Sequence, residues 1–159
     1  MKLSDLGEFG LISRIRKLSR QAHSSPIVGI GDDAAALEHP ASHLLLATTD
    51  LLIEGVHFDL SWTDYYSLGW KSAAVNLSDI AAMGGVPRYC LTALSMPRTT
   101  TTEQALDFYR GLNDLLRRSK TVLVGGDTCS SRTGLFVSVT VLGRAKRSEM
   151  ITRAGARPG

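Results

Sequence analysis

Asp64-Tyr65-Tyr66-Ser67-Leu68-Gly69-Trp70-Lys71-Ser72-Ala73-Ala74-Val75-Asn76-Leu77-Ser78-Asp79-Ile80-Ala81-Ala82-Met83-Gly84-Gly85 is the stretch that decides the architecture. Asp64 is a helix N-cap type, and Gly84-Gly85 supplies the left-handed stop that closes a helix. The spacing between them predicts a helix to about Met83, with Tyr66, Trp70, Ala73, Ala74, Leu77 and Ile80 as its inner stripe. Asp79 falls late in this helix, on the boundary of that stripe. Its neighbours Asn76, Ser78, Ala81 and Ala82 do not make a charged exterior. Aspartate competes with the backbone inside a helix, so a functional reading is favoured over a solvated one here.

Working outward, Arg88 to Ser95 reads as a strand ended by Pro97, and Thr102-Glu103 opens a second helix to about Arg118. That helix turns Ala105, Phe108, Leu112, Leu115 and Leu116 inward. Thr121 to Val124 reads as a buried strand, and Leu135 to Leu142 alternates apolar with mixed residues. Upstream, His43 to Thr49 is a continuous apolar strand. Ile27 to Ile30 and Ala34 to Leu37 are two short strand pieces around a Gly-Asp-Asp turn. Residues 8 to 20 carry Phe9, Ile12, Ile15 and Leu18 at helical spacing, and Ser24-Ser25-Pro26 breaks that helix. The order of strands, helix, strand, helix, strand, strand implies an α+β fold. In it a mixed or antiparallel sheet carries two main helices on one face.

The chain has 159 residues, a hydrophobic share of 43%, a charged share of 21% and a net charge of +3. Those values suit one globular domain. Residues 1–150 are expected to form it, with 151–159 opening a linker toward a further domain. The basic residues are scattered and not interleaved with aromatics, so no nucleic-acid partner is expected. Cys90 and Cys129 form no Cys-x-x-Cys pair, which argues against a disulfide framework or structural zinc. No apolar run approaches a membrane span, no membrane partner is expected, and the chain reads as cytoplasmic.

Four acidic sites share one character. They are Gly29-Ile30-Gly31-Asp32-Asp33, Thr48-Thr49-Asp50, Asn76-Leu77-Ser78-Asp79 and Gly125-Gly126-Asp127-Thr128. Each lies among small or hydroxyl-bearing residues without a basic neighbour in sequence, and each closes an apolar run. A desolvated carboxylate is costly unless paired or bound to a cation. Oxygen-only ligand sets suit Mg²⁺, which usually works with phosphates. Each site also has a plain reading. Asp32-Asp33 could simply make a turn, Asp50 could cap a helix or form an Asx turn, and the Gly125-Gly126 pair could answer steric needs. Their conjunction favours the metal.

Other chemistries fit less well. Gly29-Ile30-Gly31 resembles a dinucleotide fingerprint but lacks the third glycine, and two aspartates stand where a pyrophosphate needs bare N–H groups. There is no phosphate-binding loop with its lysine, and Lys71 lies inside a helical pattern. His57, in Glu54-Gly55-Val56-His57-Phe58, taken alone is more often a structural residue than a ligand.

With these segments quoted, the chain closely resembles the N-terminal domain of the thiamine-monophosphate kinase family. That family belongs to the superfamily of ATP-dependent synthetases containing aminoimidazole ribonucleotide synthetase and selenophosphate synthetase. The resemblance rests on the four acidic sites, Gly7-Glu8-Phe9, Glu54-Gly55-Val56-His57-Phe58, Ile80-Ala81-Ala82-Met83-Gly84-Gly85 and Phe108-Tyr109-Arg110-Gly111-Leu112. Superfamily relatives share the acidic and Gly-Gly-Asp elements, whereas the Glu54 to Phe58 segment is specific to the kinase.

The resemblance implies a sheet that pairs with a second subunit into a dimeric barrel, followed by a second domain. It implies Mg²⁺ bound by Asp33, Thr48, Thr49, Asp50, Asp79 and Asp127. ATP, as co-substrate, would contact Tyr109, Gly126, Asp127 and Arg153, and thiamine monophosphate would contact His57. No side chain is implied as a general base, the transfer being metal-assisted. Two alternatives stay open: a non-catalytic dimerisation and Mg-nucleotide binding module, or another ATP-dependent synthetase of the superfamily.

Overall fold

Among the described residues, five strands and two helices follow one another as β1 (Ala35–Glu38), β2 (His43–Ile53), α1 (Tyr65–Ala82), β3 (Val86–Pro97), α2 (Thr102–Arg118), β4 (Val122–Ser131) and β5 (Phe136–Lys146). This computed structural model describes residues 27–28, 32–38 and 42–154, together with Gly10 and Ser13. The expected helix over residues 8 to 20 therefore lies outside the described residues except for Gly10 and Ser13, which are helical, and so do residues 29–31, the end of the first strand piece and the start of the Gly-Asp-Asp turn. The sheet order is β1-β2-β5-β3-β4. Only β3 and β4 pair in parallel; the other three pairings are antiparallel. The mixed α+β fold expected from the order of elements is the one found.

Alternation along the strands sorts the two faces of the sheet. On β2, Leu44, Leu46, Thr48 and Leu52 are buried. Their register partners on β5 are Ala145, Gly143, Val141 and Val137. Cys90, Thr92 and Leu94 extend the same helix-facing surface across β3. Phe108, Leu112 and Leu116 of α2 and Leu68, Ala73 and Ile80 of α1 complete the core.

Caps and close approach fix the helices. Asp64 accepts from the Ser67 N–H at 2.6 Å and starts α1. Gly84, at φ +68°, stops it in the left-handed conformation that the sequence pointed to. Thr101 and Gln104 form a reciprocal capping box at the start of α2. The inner stripe of α1 differs from expectation, for Tyr66 is 40% exposed while Gly69, Ser72 and Asn76 are buried. The crossing of the two helices explains this. A Cβ on Gly69 would come within 1.9 Å of the Phe108 carbonyl oxygen, and one on Gly111 within 1.9 Å of that of Tyr66. Helices that touch backbone to backbone turn their smallest residues toward each other.

Two further expectations are corrected. Thr48-Thr49-Asp50 and Gly125-Gly126-Asp127 do not end their strands but lie inside them, because β2 and β4 run on to Ile53 and Ser131. Nor is β4 buried. It is an edge strand, with Val122 57% and Val124 53% exposed, since nothing among the described residues pairs with its outer side.

Candidate metal and phosphate site

Asp50 stands in the helix-facing row of β2, in register with Val139 and, one strand further, Thr92. Every other member of that row on β2 between Leu44 and Leu52 is buried. A carboxylate placed there is partly stripped of water. Burial pushes the Asp50 pKa up, the nearby charge of Asp79 pushes it further, and His57 opposes them. This is a position that asks for a cation.

Asp79 reaches the same place from α1. Its Oδ2 accepts the Thr48 hydroxyl at 2.7 Å, and the Thr48 Oγ1 also lies 3.3 Å from the Asp33 carbonyl oxygen. One hydroxyl thus joins β2, α1 and the 32–33 segment. Asp33 has a basic partner after all, Arg153, which stands 120 positions further along the chain. Arg153 Nη2 and Nε lie 2.6 and 3.1 Å from Asp33 Oδ1. Hydrogen bonding from Arg153 holds the Asp33 pKa below the usual carboxylate range, and the same bond raises that of Arg153. The Arg153 backbone N–H points at both carboxylate oxygens of Asp32, each at 3.3 Å.

A cavity of about 720 Å³ opens beside Asp50 and Asp79. Its walls include Leu52, His57, Lys71 and Ser78. Lys71, Val75, Ser78 and Asp79 recur at helical spacing, so one face of α1 forms a whole side of it. The Glu54–Phe58 turn brings His57 into the lining, beside Lys71. Glu54 anchors that turn by accepting from the Leu135 N–H at 2.8 Å, while its own N–H donates to the Leu135 carbonyl at 3.0 Å.

The single chain therefore gathers Asp33, Thr48, Asp50, Asp79 and Arg153, with His57 in the adjoining cavity. It does not gather the rest. Thr49 points to the other face of the sheet, where its hydroxyl meets that of Thr140 at 2.9 Å. Asp127 and Gly126 lie on β4, across β5 and β3 from β2, or roughly 14 Å away at ordinary strand spacing. Tyr109 lies on α2, its ring edge-on to Phe108 at 5.4 Å. Lys71, Ser78 and the Asp32 carboxylate were not singled out for the site from the sequence. The spacing of Lys71 and Ser78 to Asp79 on one helical face was the signal that could have found two of them.

The donor set fits a hard divalent cation: two neighbouring carboxylates, a third held by a guanidinium, and a hydroxyl between them. Among the described residues no three acidic, histidine or cysteine groups already stand close enough to enclose a metal. The carboxylates repel one another, and Arg153 draws Asp33 to itself.

Comparison with known proteins agrees with this architecture. Residues 31–145 match the family described as AIR synthase related protein, N-terminal domain. Thiamine-monophosphate kinase of Bacillus subtilis is 39% identical over 153 residues, which cover 96% of this chain and 47% of that relative. The protein of the same name from Escherichia coli K12 is 40% identical, over 96% of this chain and 46% of its own length. A solved structure described as AaThiL complexed with AMPPCP and TMP superimposes with a TM-score of 0.87 at 39% identity. The match covers 100% of this chain and 48% of that one. The chain spans about half the length of the curated relatives it matches. By the match over residues 31–145 and the fold that carries it, the chain belongs to the AIR synthase related family, as its N-terminal domain.

Proposed function

We propose that this chain is the Mg²⁺- and ATP-binding part of a kinase that converts thiamine monophosphate to thiamine diphosphate. The observation that carries the reading is Asp50, a carboxylate in a core-facing row, set beside Asp79 at the acidic end of a ligand-sized cavity. The relatives named above bear the name of that activity, and the superimposed structure is described with an ATP analogue and TMP.

Phosphoryl transfer to a phosphate acceptor brings two anions together, and Mg²⁺ supplies the positive charge that allows their approach. Asp33, Thr48, Asp50 and Asp79 would hold it. Thr48 keeps the Asp79 carboxylate oriented toward the acidic end of the cavity, and Leu52 and Val75 give the cavity apolar walls. A phosphate oxygen is ionised at neutral pH, so no side chain must remove a proton. Arg153 contributes a planar cation suited to a phosphate once it leaves Asp33.

Thr49, Gly126, Asp127 and Tyr109 enter this reading through a homodimer. Leu51, Tyr89, Val122 and Val124, each more than half exposed, support pairing of the sheet with that of a second copy into a barrel. Such pairing would bring the β4 residues of one protomer toward the acidic end of the other. Residues 1–150 would form the binding and dimerisation unit, with the longer chain of the relatives completing the activity in the cytoplasm. Among the described residues no helix is long and apolar enough to cross a membrane.

The experiment is ATP-dependent formation of thiamine diphosphate, assayed in a protein of the relatives' full length, with Asp79→Asn alongside the parent. Product from the parent and none from the variant is expected. The distance of Asp127 from the cavity favours a second reading, a binding module without activity of its own, and turnover by this chain alone would overturn it.

A further inference from the structure

Lys71 is a cation on the wall of an otherwise acidic cavity, and it sits at the end away from the acids. Eight residues of helix separate it from Asp79, about 12 Å along the axis of α1. Its Nζ donates to the His57 carbonyl oxygen at 2.5 Å, which holds the ammonium against the Glu54–Phe58 turn and leaves two of its N–H groups free. The same turn fixes the His57 ring. The Ile53 backbone N–H donates to His57 Nδ1 at 3.1 Å, so Nδ1 is the acceptor and the proton lies on Nε2. Among the described residues nothing accepts from that Nε2–H. This end of the cavity thus offers two kinds of donor. Leu52, Ala74 and Val75 supply apolar wall to the same cavity.

We propose that Lys71 is a specificity-determining residue: with His57 Nε2–H it recognises a neutral, acceptor-bearing ring at the far end of the substrate from its phosphate. The inference rests on the reading of the cavity as a thiamine monophosphate site. Thiamine monophosphate has the required polarity. Its cationic thiazolium ring carries the phosphate ester and suits the Asp50 and Asp79 end. Its neutral aminopyrimidine ring presents ring nitrogens as acceptors and suits the Lys71 end. The reversed orientation would carry the phosphate away from the Mg²⁺ that Asp50 and Asp79 would hold, so no transfer could follow.

The test is titration of this chain, in Mg²⁺ and a non-hydrolysable ATP analogue, with two ligands. One is thiamine monophosphate; the other is hydroxyethylthiazole phosphate, which lacks the pyrimidine ring. Lys71→Met should weaken the first about 10- to 100-fold, the worth of a charge-assisted hydrogen bond, and leave the second nearly unchanged. Lys71→Arg should recover most of the loss, and the His57 Nε2–H resonance should shift with the first ligand only. Equal loss for both ligands, or for neither, would overturn the assignment. Should Lys71→Met fail to fold, by circular dichroism, Lys71→Arg and the His57 resonance still decide. A parent chain that binds both ligands equally removes the Lys71 role alone. One that binds Mg²⁺ and the ATP analogue but no thiamine monophosphate sinks the substrate reading and Lys71 with it.

Discussion

Arg153 and Asp33 are joined by two N–H donors on one carboxylate oxygen, at 2.6 and 3.1 Å, across 120 positions of sequence. The pair sets an internal cation against the incoming metal. Arg153→Ala should therefore tighten Mg²⁺ binding in the absence of nucleotide, by about two- to fivefold given the exposure of the pair. The same variant should weaken binding of the ATP analogue once Mg²⁺ is present. Calorimetric titration with each ligand checks both signs, and weaker Mg²⁺ binding without nucleotide would contradict the competition.

Asp50 gives a pH dependence with a definite sign. Its folded-state pKa is raised above the ordinary 3.8, by burial first and by Asp79 second. A raised carboxyl contributes stability at pH below 3.8, and that contribution is lost as pH rises through the folded value. At neutral pH, Asp50→Asn should raise the thermal midpoint of the metal-free chain. The gain should vanish below pH 3.8, and saturating Mg²⁺ should reverse the ranking of the two proteins. Unfolding scans at three pH values, with and without Mg²⁺, measure it.

The helix crossing predicts a large penalty for one methyl group. Gly69→Ala places a Cβ 1.9 Å from a backbone oxygen that has no flexible end to move away. The cost should be about 3 kcal/mol, at the upper end for overpacking a core. Because α1 carries Asp79, Mg²⁺ binding should fall with it. Chemical denaturation measures the first effect and titration the second.

Thr101→Ala removes the hydroxyl that accepts from the Gln104 N–H at 3.2 Å. Stability should drop by about 1 kcal/mol, with Mg²⁺ binding unaffected because α2 carries none of the gathered acids. A shift in denaturation midpoint at constant slope is the expected signature.

The helices were legible because their ends are chemical. Asp64, Gly84 and the Thr101–Gln104 box fix α1 and α2 to within a residue or so of the expected bounds. The face that α1 buries was not, since an inward Asn76 and Ser72 make sense only once Gly69 and Gly111 let the helices touch. The apolar run Val122-Leu123-Val124 shows a strand but not whether it is central, and β4 proved to be an edge. Within the site, Asp79 and Thr48 were marked by their setting. The pairing of Arg153 with Asp33 and the separation of Asp127 from Asp50 depend on strand order, which no local pattern encodes.

Thr48 has a single proton and two acceptors within reach, the Asp79 carboxylate at 2.7 Å and the Asp33 carbonyl at 3.3 Å. Were an ion to claim the carboxylate oxygen, that proton would turn to the carbonyl, and the 32–33 segment would gain the bond that the helix gives up. Loading of the acidic pole would thus be felt, through the rotation of one hydroxyl, at the backbone of the segment that carries Asp32 and Asp33.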